Sequence, residues 1–155
     1  MKLVRLEFEQ LIPLSLEETW RYFSSPKNLN EITPDDMKFQ ILSSDIEKMY
    51  EGQLIEYKVS PFSGLSMPWV TEITHVKDQE YFVDEQRYGP YALWHHRHQF
   101  DVVEGGVMMR DILHYRLPFG IVGKLVDWLV VRNKVMSIFR HRLLVIENKF
   151  GRLEL

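Results

Sequence analysis

The chain contains no cysteine. Disulfide cross-links and thiol catalysis are thereby excluded, and a metal site would have to use His, Asp or Glu. Net charge is small as well: 19 Lys and Arg against 22 Asp and Glu leave −3 over 155 residues. Such a balance offers no basic footprint for nucleic acid and no polybasic run for an anionic membrane. Long apolar runs are missing too. The most apolar later stretch, Leu117 to Val131, carries Lys124 and Asp127 and is too short and too charged to span a bilayer. The opening MKLVRLEFEQLIPL is interrupted by Arg5, Glu7 and Glu9, unlike a signal peptide, so a cytoplasmic protein without integral membrane contact is expected. There is no Gly-x-Ser-x-Gly elbow, no phosphate-cradling glycine loop and no dinucleotide fingerprint. Internal repeats, linkers and low-complexity segments are also missing.

What is present is ordinary for a globular protein: 45% hydrophobic and 26% charged residues. The length suits one domain, residues 1–155, large enough to bury a core. Val4, Leu6 and Phe8 alternate with charged residues, predicting a first strand that Pro13 ends. Ser15 and Glu18 make a capping box for a helix carrying Leu16, Trp20 and Phe23 on one face. A short helical turn is expected between Asn28 and Asp35. Strands are then predicted at Lys38–Ser43, Gly52–Ser60, Trp69–Val76, Glu80–Tyr88, Leu93–Val103 and Val107–Leu117, with a loop at Pro61–Pro68 containing Gly64 as a flap. From Gly120 to Phe150 the pattern is one long helix. Leu125, Leu129, Met136, Phe139, Leu143, Ile146 and Phe150 recur at steps of three, four or seven and predict its buried face. Successive strands with short connections favour an antiparallel meander gripping that helix.

The most informative place is the hairpin around Glu104-Gly105-Gly106. A tight turn puts Trp94, His96, His98 and Phe100 on one face with Met109, Asp111, Leu113 and Tyr115. The opposite face is polar nearly throughout and must meet water. A turn at Glu104-Gly105 sets His98 opposite Asp111; a turn at Gly105-Gly106 makes them diagonal. Polar groups on an inward face cost a few kcal/mol each unless paired or hydrated. Asp84 and Gln86 join the same face if their strand turns Phe82 inward; the face with Tyr81 and Val83 is the alternative. His98 with Asp111 has the makings of an acid–base pair and, equally, of a structural hydrogen bond. His96, His98 and Asp111 do not make a complete ligand set, so no metal and no cofactor is expected. Arg132 and Arg142 on the helix either pair with inward acids or face solvent.

Several runs resemble one family over essentially the whole chain. They are Phe82-Val-Asp84-Glu-Gln86, Gly89-Pro-Tyr91, Trp94-x-His96-x-His98-x-Phe100, Asp111-x-x-x-Tyr115-x-Leu117-Pro118 and Ile138-Phe139-x-x-Arg142. Together they are similar to the SRPBCC superfamily, and in particular to bacterial stand-alone ligand-binding proteins often labelled cyclase/dehydrase-like. The superfamily gathers START-type lipid-binding domains, pollen-allergen-like proteins and aromatic polyketide cyclases. The resemblance implies an α+β helix-grip fold: a seven-stranded antiparallel sheet around a long C-terminal helix, with two short helices after the first strand. It also implies a cavity for a hydrophobic or aromatic small molecule. No residue-by-residue match to a cyclase active site exists.

The leading expectation is thus a binding module. Trp69, Trp94, Phe100, Leu125, Leu129, Met136 and Phe139 would supply apolar contacts. Asp84, Gln86, His96, His98, Asp111 and Tyr115 would fix the ligand's polar end. The rivals are a cyclase, dehydratase or isomerase with His98 as base, Asp111 orienting it and Tyr115 polarising a carbonyl, and an accessory protein acting through a protein partner.

Overall fold

The computed structural model describes residues 3–43, 47–62 and 65–152. Seven strands form one antiparallel sheet: β1 (Val4–Ile12), β2 (Gln40–Ile41), β3 (Leu54–Phe62), β4 (Leu65–Lys77), β5 (Tyr81–Tyr88), β6 (Leu93–Val103) and β7 (Gly106–Arg116). Their spatial order is β1-β7-β6-β5-β4-β3-β2. The meander from β2 to β7 is therefore closed on its far side by the first strand. Helix α1 (Leu16–Phe23) follows β1 and starts at the expected capping box of Ser15 and Glu18. Two 3-10 turns, Pro26–Asn30 and Asp35–Met37, lead into β2.

Two expectations change. Lys38–Ser43 contributes only the two-residue edge strand β2, because Asp35–Met37 closes as a turn and Lys38 is left-handed (φ 43°). The predicted Pro61–Pro68 loop is mostly strand: β3 runs to Phe62 and β4 starts at Leu65, with a register shift between Val59 and Phe62. The proposed flap glycine, Gly64, lies outside the described residues. Further shifts between Val70 and Thr71 and between Ile73 and His75 bend β4 against β5. Irregularities of this kind increase local twist and curvature.

The C-terminal helix is continuous from Gly120 to Phe150 but not uniform. Helix α2 (Gly120–Val126) passes through a π-helical turn (Asp127–Val131) into helix α3 (Arg132–Phe150). Its buried residues are Gly123, Asp127, Val131, Val135, Phe139, Arg142 and Ile146. The expected face held at Phe139 and Ile146. It failed at Leu125 and Leu129, which are 55% and 54% exposed. The π turn is the reason. A wider turn absorbs an extra residue, so steps of four stay in line from Gly123 to Val135, whereas a 3.6-residue period carried back from Phe139 would bring positions near 128 and 125 to the buried face. Gly123 is required on that line, since a Cβ there would lie 2.0 Å from the Pro118 carbonyl oxygen.

The core has two parts. One joins Trp20 and Phe23 of α1 to Phe82, Phe100, Met109 and Ile146. The other joins Leu113 and Tyr115 to Val131, Val135 and Phe139 of the long helix. Phe139 also stacks on Phe8 at 4.1 Å. Both parts contribute to a cavity of about 280 Å³ between sheet and helix.

Candidate functional site

The hairpin adopts the register of a Glu104-Gly105 turn: Val103 pairs with Gly106, and His98 with Asp111. Alternation then turns His96, His98 and Phe100 inward together with Met109, Asp111, Leu113 and Tyr115, all buried. On the adjacent strand Asp84 pairs with His96 and Phe82 with His98. Asp84 therefore comes inward beside Phe82.

These residues form one buried polar cluster. His98 Nε2 lies 2.8 Å from Asp84 Oδ2, a hydrogen bond, and His98 Nδ1 lies 2.9 Å from Asp111 Oδ1 without hydrogen-bond alignment. His96 Nε2 is hydrogen-bonded to Asp111 Oδ1 at 3.0 Å, and its Nδ1 is 3.4 Å from Asp84 Oδ2. The two imidazoles are tilted against each other with centroids 3.8 Å apart. Arg142 closes the back, donating to Asp111 Oδ1 at 3.2 Å. This buried pairing decides between the two sequence readings of Arg142. Arg132 is instead half-exposed, 3.5 Å from Asp127.

Electrostatics divide the two histidines. Burial alone would raise the Asp111 carboxyl, but Arg142 first and then the imidazoles hold it well below the usual carboxylate range. Asp84 is also lowered: burial opposes, and His96 and His98 prevail. For His98, burial pulls the pKa down, yet the carboxylates of Asp111 and Asp84 carry it above its ordinary value. His96 is lowered, by burial and then by the neighbouring His98 charge. His98 is thus the more readily protonated of the two imidazoles, and His96 the less.

Asp84, His96 and His98 present ligand atoms within 4.8 Å of one another, a spacing that could hold a divalent cation. However, the His98 and Asp84 atoms that a metal would need already hydrogen-bond each other, and the Arg142 guanidinium already pairs with Asp111 beside them. A metal would have to break the Asp84–His98 hydrogen bond next to that cation, so the donor set fits poorly.

Of the sequence-predicted site residues, Trp69, Asp84, Trp94, His96, His98 and Phe139 line the cavity. The others lie outside its wall. Asp111 sits behind the imidazoles. Tyr115 is fully buried with its hydroxyl donating to Asp127 at 2.5 Å, so it is not free to polarise a ligand carbonyl. Phe100 packs edge-on to Trp20 in the core. Gln86 bonds both the carbonyl oxygen and the N–H of Tyr91, fixing the Gly89-Pro90-Tyr91 turn. Met136 is half-buried, and Leu125 and Leu129 are exposed. Arg142 and Tyr91 reach the cavity though neither was expected to, as do Met37, Met49 and Met67. Tyr91 joins Trp69 (5.5 Å) and Trp94 (4.7 Å) in an aromatic wall. The Trp69 indole donates to Thr71 at 2.9 Å.

No protein-family model and no curated protein sequence matches the chain. Solved structures do. Protein CV1439 from Chromobacterium violaceum superposes with a TM-score of 0.71 at 13% identity, covering 97% of this chain and 99% of that one. Ginseng major latex-like protein 151 from Panax ginseng gives 0.69 at 13% identity over 96% and 97%. Protein Ms6760 from Mycobacterium smegmatis gives 0.66 at 14% identity over 96% and 98%. At such identities the likeness concerns fold alone: a helix-grip architecture, with seven antiparallel strands closed on a long C-terminal helix.

Proposed function

We propose that this protein binds a small, largely apolar or aromatic molecule in the cavity between sheet and helix, acting in the cytoplasm as a carrier or sensor. One observation carries the reading: a cavity of about 280 Å³ lined mostly by apolar and aromatic side chains, with the buried charged cluster of Asp84, His96, His98 and Arg142 in its wall. That volume is near the lower edge for small-molecule sites, room for one or two rings. The carboxylates of Asp84 and, behind the wall, Asp111 are already paired with the imidazoles and the Arg142 guanidinium. Such a paired cluster favours a neutral hydroxyl or carbonyl over an ion, because an unpaired charge in an apolar site is costly. Trp69, Tyr91 and Trp94 offer ring faces to an aromatic body.

The experiment is a thermal-shift series with neutral phenols, ketones and alcohols of one to two rings, run beside matching carboxylates and hydrocarbons. The neutral polar compounds should raise the melting temperature most, and His98→Gln should erase that preference over the hydrocarbons. Equal shifts for all three classes would remove the role given to the polar wall.

A second reading rests on His98 itself. It reaches the cavity with a carboxylate beside each ring nitrogen, a setting for general acid–base catalysis. Here Asp84, on the cavity side, replaces Asp111 as its hydrogen-bonded partner. His98→Gln would then abolish turnover while a ligand still bound.

A further inference from the structure

From Gly120 to Val131 only Gly123, Asp127 and Val131 are buried. Apart from Gly120 and Lys124, the remainder is exposed apolar side chains, and Phe119 just before it is exposed as well. Ile121 is 84% exposed, Phe119 83%, Trp128 69%, Val122 64%, and Leu125 and Leu129 over half. One buried line on a helix leaves most of its circumference apolar and uncovered. A partner helix would cover a stripe of about 100°. A helix apolar nearly all round calls for a surrounding apolar medium instead.

Charge agrees. From Ile112 to His141 the chain has five Lys and Arg (Arg116, Lys124, Arg132, Lys134 and Arg140) and a single acid, Asp127, in a protein of net charge −3. That acid accepts from the Tyr115 hydroxyl and lies 3.5 Å from Arg132; Lys134 is paired with Asp36, while Lys124 is exposed and Arg132 half-exposed at the surface. Trp128 is a residue type that favours the membrane–water interface, and Phe119 one that suits the immersed face of an interfacial helix. Backbone geometry holds the segment out: Phe119 and Gly120 are both left-handed (φ 67° and 54°) where the helix begins. No described helix is long and apolar enough to cross a bilayer, so immersion would be peripheral. The segment is bracketed by Leu117 and Val131, both in the cavity wall.

We propose that Phe119–Val130 is a peripheral membrane-docking element that sinks its apolar side chains into the headgroup–acyl boundary of an anionic lipid surface, with Lys124 and Arg132 on the headgroups. The docking does not depend on what fills the cavity.

The test is co-sedimentation of the full chain with vesicles of phosphatidylcholine containing phosphatidylglycerol and with vesicles of phosphatidylcholine alone. Binding should be stronger to the anionic vesicles and weaken with salt. Ile121→Asp/Leu125→Asp should lower affinity for both at least about tenfold, with an unchanged melting temperature because both positions are exposed. Lys124→Glu/Arg132→Glu should lose about tenfold on anionic vesicles only. Failure of the folded wild type to sediment with either vesicle would overturn the proposal, as would undiminished binding of the Asp variant. So would a stable dimer by light scattering that the Asp variant dissociates, which would make the face a contact between two copies. The thermal-shift series reads the cavity separately, so either idea can fail alone.

Discussion

The two ends of the C-terminal helix meet opposite fates, and the more apolar end is the less buried. In α3, Val135, Phe139 and Ile146 are buried with Arg142 against the sheet. In α2 and the π turn the apolar residues stand in water, and the buried line consists of Gly123, Asp127 and Val131. Composition alone inverts this, since the buried line holds the charged residues Asp127 and Arg142 while Ile121 and Trp128 are exposed. Burial follows where the sheet is and which phase the π turn imposes. It does not follow hydrophobicity residue by residue.

That contrast can be broken deliberately, and the largest effect belongs to α3. Arg142→Met leaves Asp111 buried without its cation, and breaking such a pair costs about 3–5 kcal/mol; urea unfolding measures it. Next is Gly123→Ala, which drives a methyl into the Pro118 carbonyl. A loss of about 1–3 kcal/mol is expected from overpacking, unusual for a Gly→Ala change in a helix and a direct check of the π-shifted phase. A smaller effect concerns pH. His98 has a raised folded pKa, so its contribution is fully present below its unfolded value of about 6.5 and is lost as pH rises through the folded value. The stability gap between wild type and His98→Gln should therefore narrow from acid to alkaline urea titrations. The smallest effect is Leu129→Gln, expected to stay within about 0.5 kcal/mol because the side chain is already exposed. A large loss there would return Leu129 to the core.

The sheet was legible in the sequence because period-two alternation is local. The β6–β7 hairpin shows this best. Its face assignment needed only the turn, and one of the two turn registers considered places His98 opposite Asp111 as observed. Asp84 beside Phe82 is one of the two faces that alternation allows for its strand, and the pairing of β5 with β6 selects it. The partner of His98 was harder to read. Its aligned hydrogen bond goes to Asp84 on the neighbouring strand, a contact set by the β5–β6 register, which no short turn reveals. Gln86, which alternation offers as a ligand contact, instead holds the Tyr91 turn through its own amide. Met37, Met49 and Met67 reach the cavity from turns, edges and loops whose placement depends on long-range packing. The helix phase was missed because a π turn has no marker in an apolar run such as Asp127-Trp-Leu-Val-Val131. Gly123 was the one available hint, a helix-interior glycine that suggests close backbone approach.

The central claim is that the cavity holds a small apolar molecule against the His98 wall. Native mass spectrometry of protein purified from its own host, followed by extraction of anything bound, tests it most directly. The account predicts one neutral, mostly apolar or aromatic compound per chain, lost or weakened in His98→Gln. A clean unliganded mass, together with no thermal shift from any compound in the series, would contradict it.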